Sequence, residues 1–137
     1  MIFEFYNGLP KEAKKIRQAV FVDEQGFENE FDDIDQRAIH LVVFDGNEAI
    51  GCARMFEENG VMILGRIAVV KEKRVLHVGS QILKALERRA SELGYHEVNL
   101  SAQTRVSQFY CKNGYKAYGN EYLDEFCPHI HMKKVLK

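Results

Sequence analysis

The chain has 137 residues, 46% of them hydrophobic and 28% charged, with a formal net charge of −1. These values describe one ordinary globular domain and argue against a nucleic-acid track, which needs a basic stripe with interleaved aromatics. No apolar run nears the roughly 20 residues that cross a bilayer. The opening MIFEFYNGLPKEAKK lacks the basic-then-apolar order of a secretory signal, and the three cysteines (Cys52, Cys111, Cys127) lack metal-ligand spacing, so a cytoplasmic protein with reduced thiols and no metal is expected.

Ile2 to Tyr6 alternates as a short strand, and Pro10 stands where a first helical residue would. Ala13, Ile16, Ala19 and Val20 recur at helical spacing and predict a helix from Pro10 to about Val22. Asp23 to Asp35 then carries seven carboxylates and no base. Its Phe27, Phe31 and Ile34 are spaced to pin a loop or short helix to the body. Ile39 to Phe44 predicts a strand, Asp45 to Glu48 a hairpin turn, and Ala49 to Phe56 the returning strand. Glu57 to Gly60 turns again into a third strand, Val61 to Val70.

A helix from about Val78 to Leu93 places Ile82, Leu83, Leu86, Ala90 and Leu93 on one face, with Gly94 as its stop. Glu97 to Ser101 reads as a strand, and Thr104 as the N-cap of a helix through about Asn113. Tyr115 to Gly119 and His129 to Lys133 read as the last two strands. The order of elements predicts an α+β fold, a mostly antiparallel twisted sheet flanked by helices, in one domain over residues 1–137.

The most informative stretch runs from Gly65 to Leu86. A β-like run, Ile67 to Val70, passes into a basic loop, Lys71 to His77, and then into Gly79-Ser80 and an amphipathic helix. Between Arg66 and His77 the fixed charge is a local +3 in a chain of net −1. The first N–H groups of a helix lack intrahelical partners and carry partial positive charge, so strand, cationic turn and helix start together predict a site for a small polyanion. Gly79 has no side chain to keep a phosphate from the backbone. An ordinary strand-loop-helix with a solvated basic turn is the bland alternative.

On these residues the chain resembles the GCN5-related N-acetyltransferases (GNAT), and within them the ElaA- and YjcF-like subgroup. The family's acetyl-CoA loop, Gln or Arg, two residues, Gly, one residue, then Gly or Ala, corresponds to Arg74-Val75-Leu76-His77-Val78-Gly79, with His77 in place of the first glycine. Gly65 to Val69 is similar to the strand that pairs with the pantetheine arm, and Phe109-Tyr110 through Gly114-Tyr115 to the family's C-terminal signature. Val20 to Gln25, and Glu121 to Glu125 with His129, match the subgroup.

The resemblance implies an acetyl-CoA-dependent N-acetyltransferase of the GNAT fold acting on a primary amine, of a small molecule or of a protein Lys, in a ternary complex. It implies phosphate binding by the amides of Val78, Gly79 and Ser80 with charge from Arg74, His77 either donating to phosphate or facing solvent, and the arm held by Ile67, Ala68 and Val69. Gln103 would hydrogen-bond the arm, and Tyr110 would act as general acid for the departing thiolate. Glu24, His40, Glu125 and His129 are the substrate-side candidates, with the base left open among them, His131 and a water chain. The acidic segment would flank the acceptor entrance and attract a cationic amine. No nucleic-acid or membrane partner is implied, and pairing of the last strands allows a homodimer. A non-catalytic acyl-CoA sensor is the competing class, favoured by His77. Cys111, beside Tyr110, has no evident activating histidine for a covalent route.

Overall fold

The computed structural model describes residues 1–137, the side chains of Val75 and Leu76 excepted. The two intervening positions of the acetyl-CoA loop pattern therefore lie outside the described side chains. Seven strands form one sheet: β1 (Ile2–Asn7), β2 (Ile39–Asp45), β3 (Glu48–Glu58), β4 (Val61–Val69), β5 (Glu97–Gln103), β6 (Lys116–Asp124) and β7 (Cys127–Val135), in the order β1-β2-β3-β4-β5-β7-β6. The helices are α1 (Lys11–Arg17), α2 (Val78–Glu92) and α3 (Ser107–Lys112). A mostly antiparallel sheet flanked by helices is the α+β arrangement the sequence leads one to expect.

Strands β2 to β4 pair as the predicted antiparallel meander, and β1 adds antiparallel to β2. Its second turn uses Asn59 (φ 52°) and Gly60 (φ 85°), consecutive left-handed residues whose twist matches that of the flanking strands. The chain then crosses over through α2, so β5 lies parallel to β4, and β5 pairs antiparallel with β7. Val78, Ile82, Leu83, Leu86 and Ala90 of α2 are fully buried against Leu41, Ile50, Met55, Leu64, Leu100 and Met132. Leu93, predicted on that face, lies past the last turn and is 43% exposed. Ala13, Ile16 and Val20 cover the other face over Val42, Cys52 and Ala68. No helix among the described residues is long and apolar enough to cross a membrane.

Four expectations are corrected. Pro10 is the N-cap of the first helix in extended conformation, and after α1 the helix widens into a π-helical segment, Gln18–Glu24. Thr104 caps nothing: Thr104–Val106 is a 3-10 turn leading into α3. The last two strands are longer than their apolar cores, because a register shift between Tyr118 and Tyr122 absorbs the irregular residues and the pairing continues to Asp124 and Cys127. The acidic segment is not an open loop. Its Glu30 and Asp35 are buried, at 5% and 6% exposure, because three arginines from α1, β3 and β4 reach them.

Candidate functional site

The parallel pairing of β4 with β5 lasts only from Met62/Val98 to Leu64/Leu100. Beyond it β4 stays bonded to β3 as far as Val69, and β5 to β7 as far as Gln103, so the two strands part. The cause is a bulge. Pairing with β3 jumps from Arg54/Gly65 to Cys52/Ala68, and Arg66 takes a left-handed φ of 51°. An extra residue bends the strand and interrupts its ladder. The wedge between Gly65–Val69 and Ser101–Gln103 opens a cleft of about 300 Å³. Backbone groups of β4 facing a vacated strand position can pair with an extended ligand arm.

At the end of this strand the 3-10 turn Lys71–Leu76 leads to the start of α2. His77 has φ 58° and ψ 27°, the left-handed conformation that glycine adopts most cheaply. Histidine is among the side chains that visit this region more than most. A histidine holds this conformation at a backbone cost of roughly 1–2 kcal/mol. The His77 side chain is exposed, makes no capping bond, and is not among the described cleft-lining residues. Val78 points into the core, while the amides of Val78, Gly79 and Ser80 form the first turn of a 15-residue helix.

Gly79 has a structural duty of its own. A Cβ there would stand 3.0 Å from Cζ of Phe109, so the missing side chain lets α3 pack on α2. The packing matters to the site because Phe109 adjoins Tyr110. Tyr110 lines the cleft, edge-on to Phe109 at 5.1 Å and to Tyr115 at 5.9 Å between ring centroids. Burial pushes its phenol up to about 12. Its hydroxyl makes no side-chain hydrogen bond among the described residues, so it is an unspent donor facing the cleft. Cys111, next in the chain, is exposed and not among the described residues lining the cleft.

Ile67, Ala68, Val69, Arg74, Gln103, Tyr110, Glu125 and His129 line this one cleft. Several are already engaged. Arg74 donates from both Nη atoms to the Glu24 carboxylate at 2.7 Å and from Nε to the Val69 carbonyl at 3.0 Å. The guanidinium holds the exposed Glu24 carboxyl below its usual range. Gln103 donates to Gln25 Oε1 at 2.9 Å and accepts from Arg105 Nε at 2.9 Å, tying the π-helical segment to β5. Glu125, at φ 55°, accepts from the backbone N–H groups of Glu28 and Asn29, 3.0 Å each, which lowers its carboxyl pKa and clamps the β6–β7 turn to the acidic segment.

Two histidines part company. His40 is fully buried in β2, donates from Nε2 to the Asp35 carbonyl at 2.9 Å, and burial pushes its pKa down; it is not among the described cleft-lining residues. The sheet around it took it inside, as its position among Ile39, Leu41 and Val42 allows. His129 does line the cleft. Its Nδ1 lies 2.9 Å from the Cys127 carbonyl, which can only accept, so Nδ1 carries a hydrogen, and Nε2 has no hydrogen-bond partner among the described residues.

Beneath the acidic segment lies a network that the sequence conceals. Arg17 donates from Nε to Glu30 at 2.9 Å and from Nη1 to Asp35 at 2.7 Å. Arg54 donates to Asp32 at 2.6 Å and to Asp35 at 2.9 Å, and Arg66 to Glu30 at 3.0 Å and to Asp32 at 3.3 Å. Burial alone would raise the Asp35 carboxyl, but the Arg17 and Arg54 guanidiniums hold it down at about 2. These carboxylates therefore fasten the segment, and Glu30, Asp32 and Asp35 do not serve as an open lure for cations. Gln25, Phe27, Arg66 and Asp124 also line the cleft; in the sequence they stand in subgroup-matching, apolar or basic stretches, with no part in the site expected of any of them.

Residues 10–136 match the family described as the acetyltransferase (GNAT) domain. The chain is 39% identical over 127 residues to the uncharacterised N-acetyltransferase YjcF of Bacillus subtilis (strain 168), covering 90% of this chain and 91% of that one. Its fold is similar to that of an acyl-CoA N-acyltransferase from Pseudomonas aeruginosa, with a TM-score of 0.85, 24% identity and coverage of 98% and 99% of the two chains. The crystal structure of Escherichia coli ElaA superposes with a TM-score of 0.83, 23% identity and coverage of 97% and 99%.

Proposed function

Because the chain belongs to the GNAT acetyltransferase family, and is an N-acetyltransferase whose co-substrate is acetyl-CoA, we propose that it transfers the acetyl group to a primary amine by direct attack within a ternary complex. The observation that carries this reading is the parting of β4 and β5, which leaves the backbone of Gly65–Val69 facing the cleft; the turn Lys71–Leu76 then leads to the start of α2, although Val78, Gly79 and Ser80 are not among the described residues lining the cleft. An extended arm paired to Ile67, Ala68 and Val69 would lead its phosphates to the amides of Val78, Gly79 and Ser80. Arg74 contributes by fixing the turn through Glu24 and Val69 and adding positive potential.

Chemically, the amine nitrogen attacks the thioester carbonyl, the C–N bond forms, and the C–S bond breaks. The proton lost by the amine goes to Nε2 of His129, the one substrate-side candidate that lines the cleft with an unpartnered ring nitrogen among the described residues. Glu24 and Glu125 are poorly suited as bases, since both oxygens of each are taken by donors. The β4 amides polarise the carbonyl oxygen, and Tyr110 donates to the departing sulfur. The left-handed backbone of His77, the conformation a glycine would take most cheaply, supports the transfer reading over the sensor alternative.

Calorimetric titration with acetyl-CoA, followed by CoA release on adding amines, tests the reading. Saturable binding and amine-dependent release are expected. Binding without release by any amine would sink the transfer proposal.

A further inference from the structure

Three acids line the cleft: Glu30, Asp124 and Glu125. Glu30 is paired with Arg17 and Arg66, and Glu125 is filled by two backbone N–H groups. Among the described residues Asp124 alone of the three has no hydrogen-bond or ion-pair partner. Of the arginines lining the same cleft, Arg66 and Arg74 are paired with carboxylates and Arg105 is not among the described residues, so a second ammonium would meet a positive charge and no free acid.

The wall beside Asp124 is aromatic. Phe27, 7% exposed, stacks on Phe126 at a centroid distance of 5.1 Å and an interplanar angle of 30°. Phe27 also meets the ring of His129 edge-on at 6.4 Å. Phe126 is 60% exposed, although its turn is held with some care. Glu125 beside it accepts the strained left-handed conformation and clamps residues 28 and 29. Gly26, at φ 83°, lies with its open side 4.0 Å from the Phe126 ring. Phe126 is not among the described residues lining the cleft, but it stacks on Phe27, which is, and so extends that aromatic wall outward as a ring with one face covered and the rest in water.

We propose that the acceptor is a singly charged primary amine on an aromatic or branched apolar body, seated against Phe27 and Phe126 with its ammonium toward Asp124. This class rests on the transfer reading above. It places polyamines and multiply charged amino sugars second as acceptors, because among the described residues the cleft has a single free carboxylate for an ammonium, and an arginine, Arg105, without a carboxylate partner. Once Asp124 has drawn in the ammonium, one proton leaves to solvent to give the neutral amine, and His129 takes the second as the amine attacks.

The full chain is titrated calorimetrically with 2-phenylethylamine and with spermidine, with and without saturating CoA, and separately with acetyl-CoA. Phenylethylamine is expected to bind the tighter of the two. Phe126→Ser should weaken it by about three- to tenfold, the range an aromatic contact supplies. Asp124→Asn should weaken it as well, and neither change should alter acetyl-CoA binding. Both residues are exposed, so both variants keep the fold, which far-ultraviolet circular dichroism checks. Equal or tighter binding of spermidine, no binding of phenylethylamine, or indifference to Phe126→Ser overturns the proposal. Failure of acetyl-CoA to bind would instead strike the donor reading, and the amine titrations would still report on acceptor class.

Discussion

Replacing Tyr110 by Phe removes one oxygen that no described side chain touches, while the ring keeps its edge contacts with Phe109 and Tyr115. The unfolding midpoint and the acetyl-CoA affinity should therefore stay where they are, and kcat should fall. General acid catalysis typically contributes about 10²–10⁴-fold, but the structure argues for less. Burial pushes the phenol up to about 12, whereas an ordinary alkyl thiol has a pKa near ~8.5. Full proton transfer from this phenol to a thiolate is uphill by several units, so the hydroxyl acts mainly as a hydrogen-bond donor to developing charge. Such a bond is worth about 1.5–3 kcal/mol, which is roughly a 10- to 150-fold loss in kcat. Stopped-flow or steady-state detection of released CoA, at saturating acetyl-CoA and amine, reads it directly. An unchanged kcat would refute the placement at the leaving group when chemistry limits the rate, which a single-turnover measurement establishes. A loss of ten-thousandfold or more would mean that the proton does transfer and that the phenol is far more acidic in the complex.

Arg17→Met should destabilise the fold by about 3 kcal/mol in urea unfolding, the low end for a broken buried pair, because Arg54 and Arg66 remain on Asp35 and Glu30. The Asp35 carboxyl, held at about 2 against a reference of 3.8, stabilises the fold above its unfolded value and loses that contribution as pH falls through about 2. The deficit of Arg17→Met should accordingly shrink on acidification over that window; a deficit independent of pH would dissociate it from Asp35. Gly79→Ala gains about 1 kcal/mol of helix propensity but sets a Cβ 3.0 Å from Phe109, an overpacking cost of about 1–3 kcal/mol. Reduced stability together with reduced kcat is expected, and a stabilised, fully active variant would refute the packing role. His129→Gln should lower kcat while leaving acetyl-CoA binding unchanged, and a variant with undiminished kcat would assign the base elsewhere.

The parts of this molecule that follow local rules were legible in its sequence. The meander, α2 with its buried stripe, and the strand-turn-helix of Gly65 to Leu86 follow from period, turn residues and charge. The resemblance then pointed to Ile67 to Val69, Gln103, Tyr110 and His129, which the fold gathers around one cleft. What escaped depends on partners far apart in the chain. A run of carboxylates reads the same whether it is solvated or buried on arginines, and nothing near Asp35 announces Arg17 and Arg54, 18 and 19 residues away. His40 had the chemistry of a base but the strand position of a core residue. Gly79 looked like room for a phosphate, although the direction its Cβ would take faces a ring that arrives thirty positions later. The bulge at Arg66, which opens the cleft, has no signature in residue type.

The Glu125 clamp also sets an order of assembly. Its carboxylate holds amides 96 and 97 residues earlier in the chain. During synthesis at about 5–20 residues per second, the meander of β1 to β4 can pair as it emerges, each strand beside its predecessor. The wall that carries Phe27 and Asn29 must wait several further seconds until β6 and β7 appear. A chain interrupted before residue 125 would hold most of its hydrophobic interior yet lack a finished acceptor wall, so activity in this protein is acquired last. Pulse-labelled ribosome-bound intermediates should show protected amides in the early strands while those of Glu28 and Asn29 still exchange.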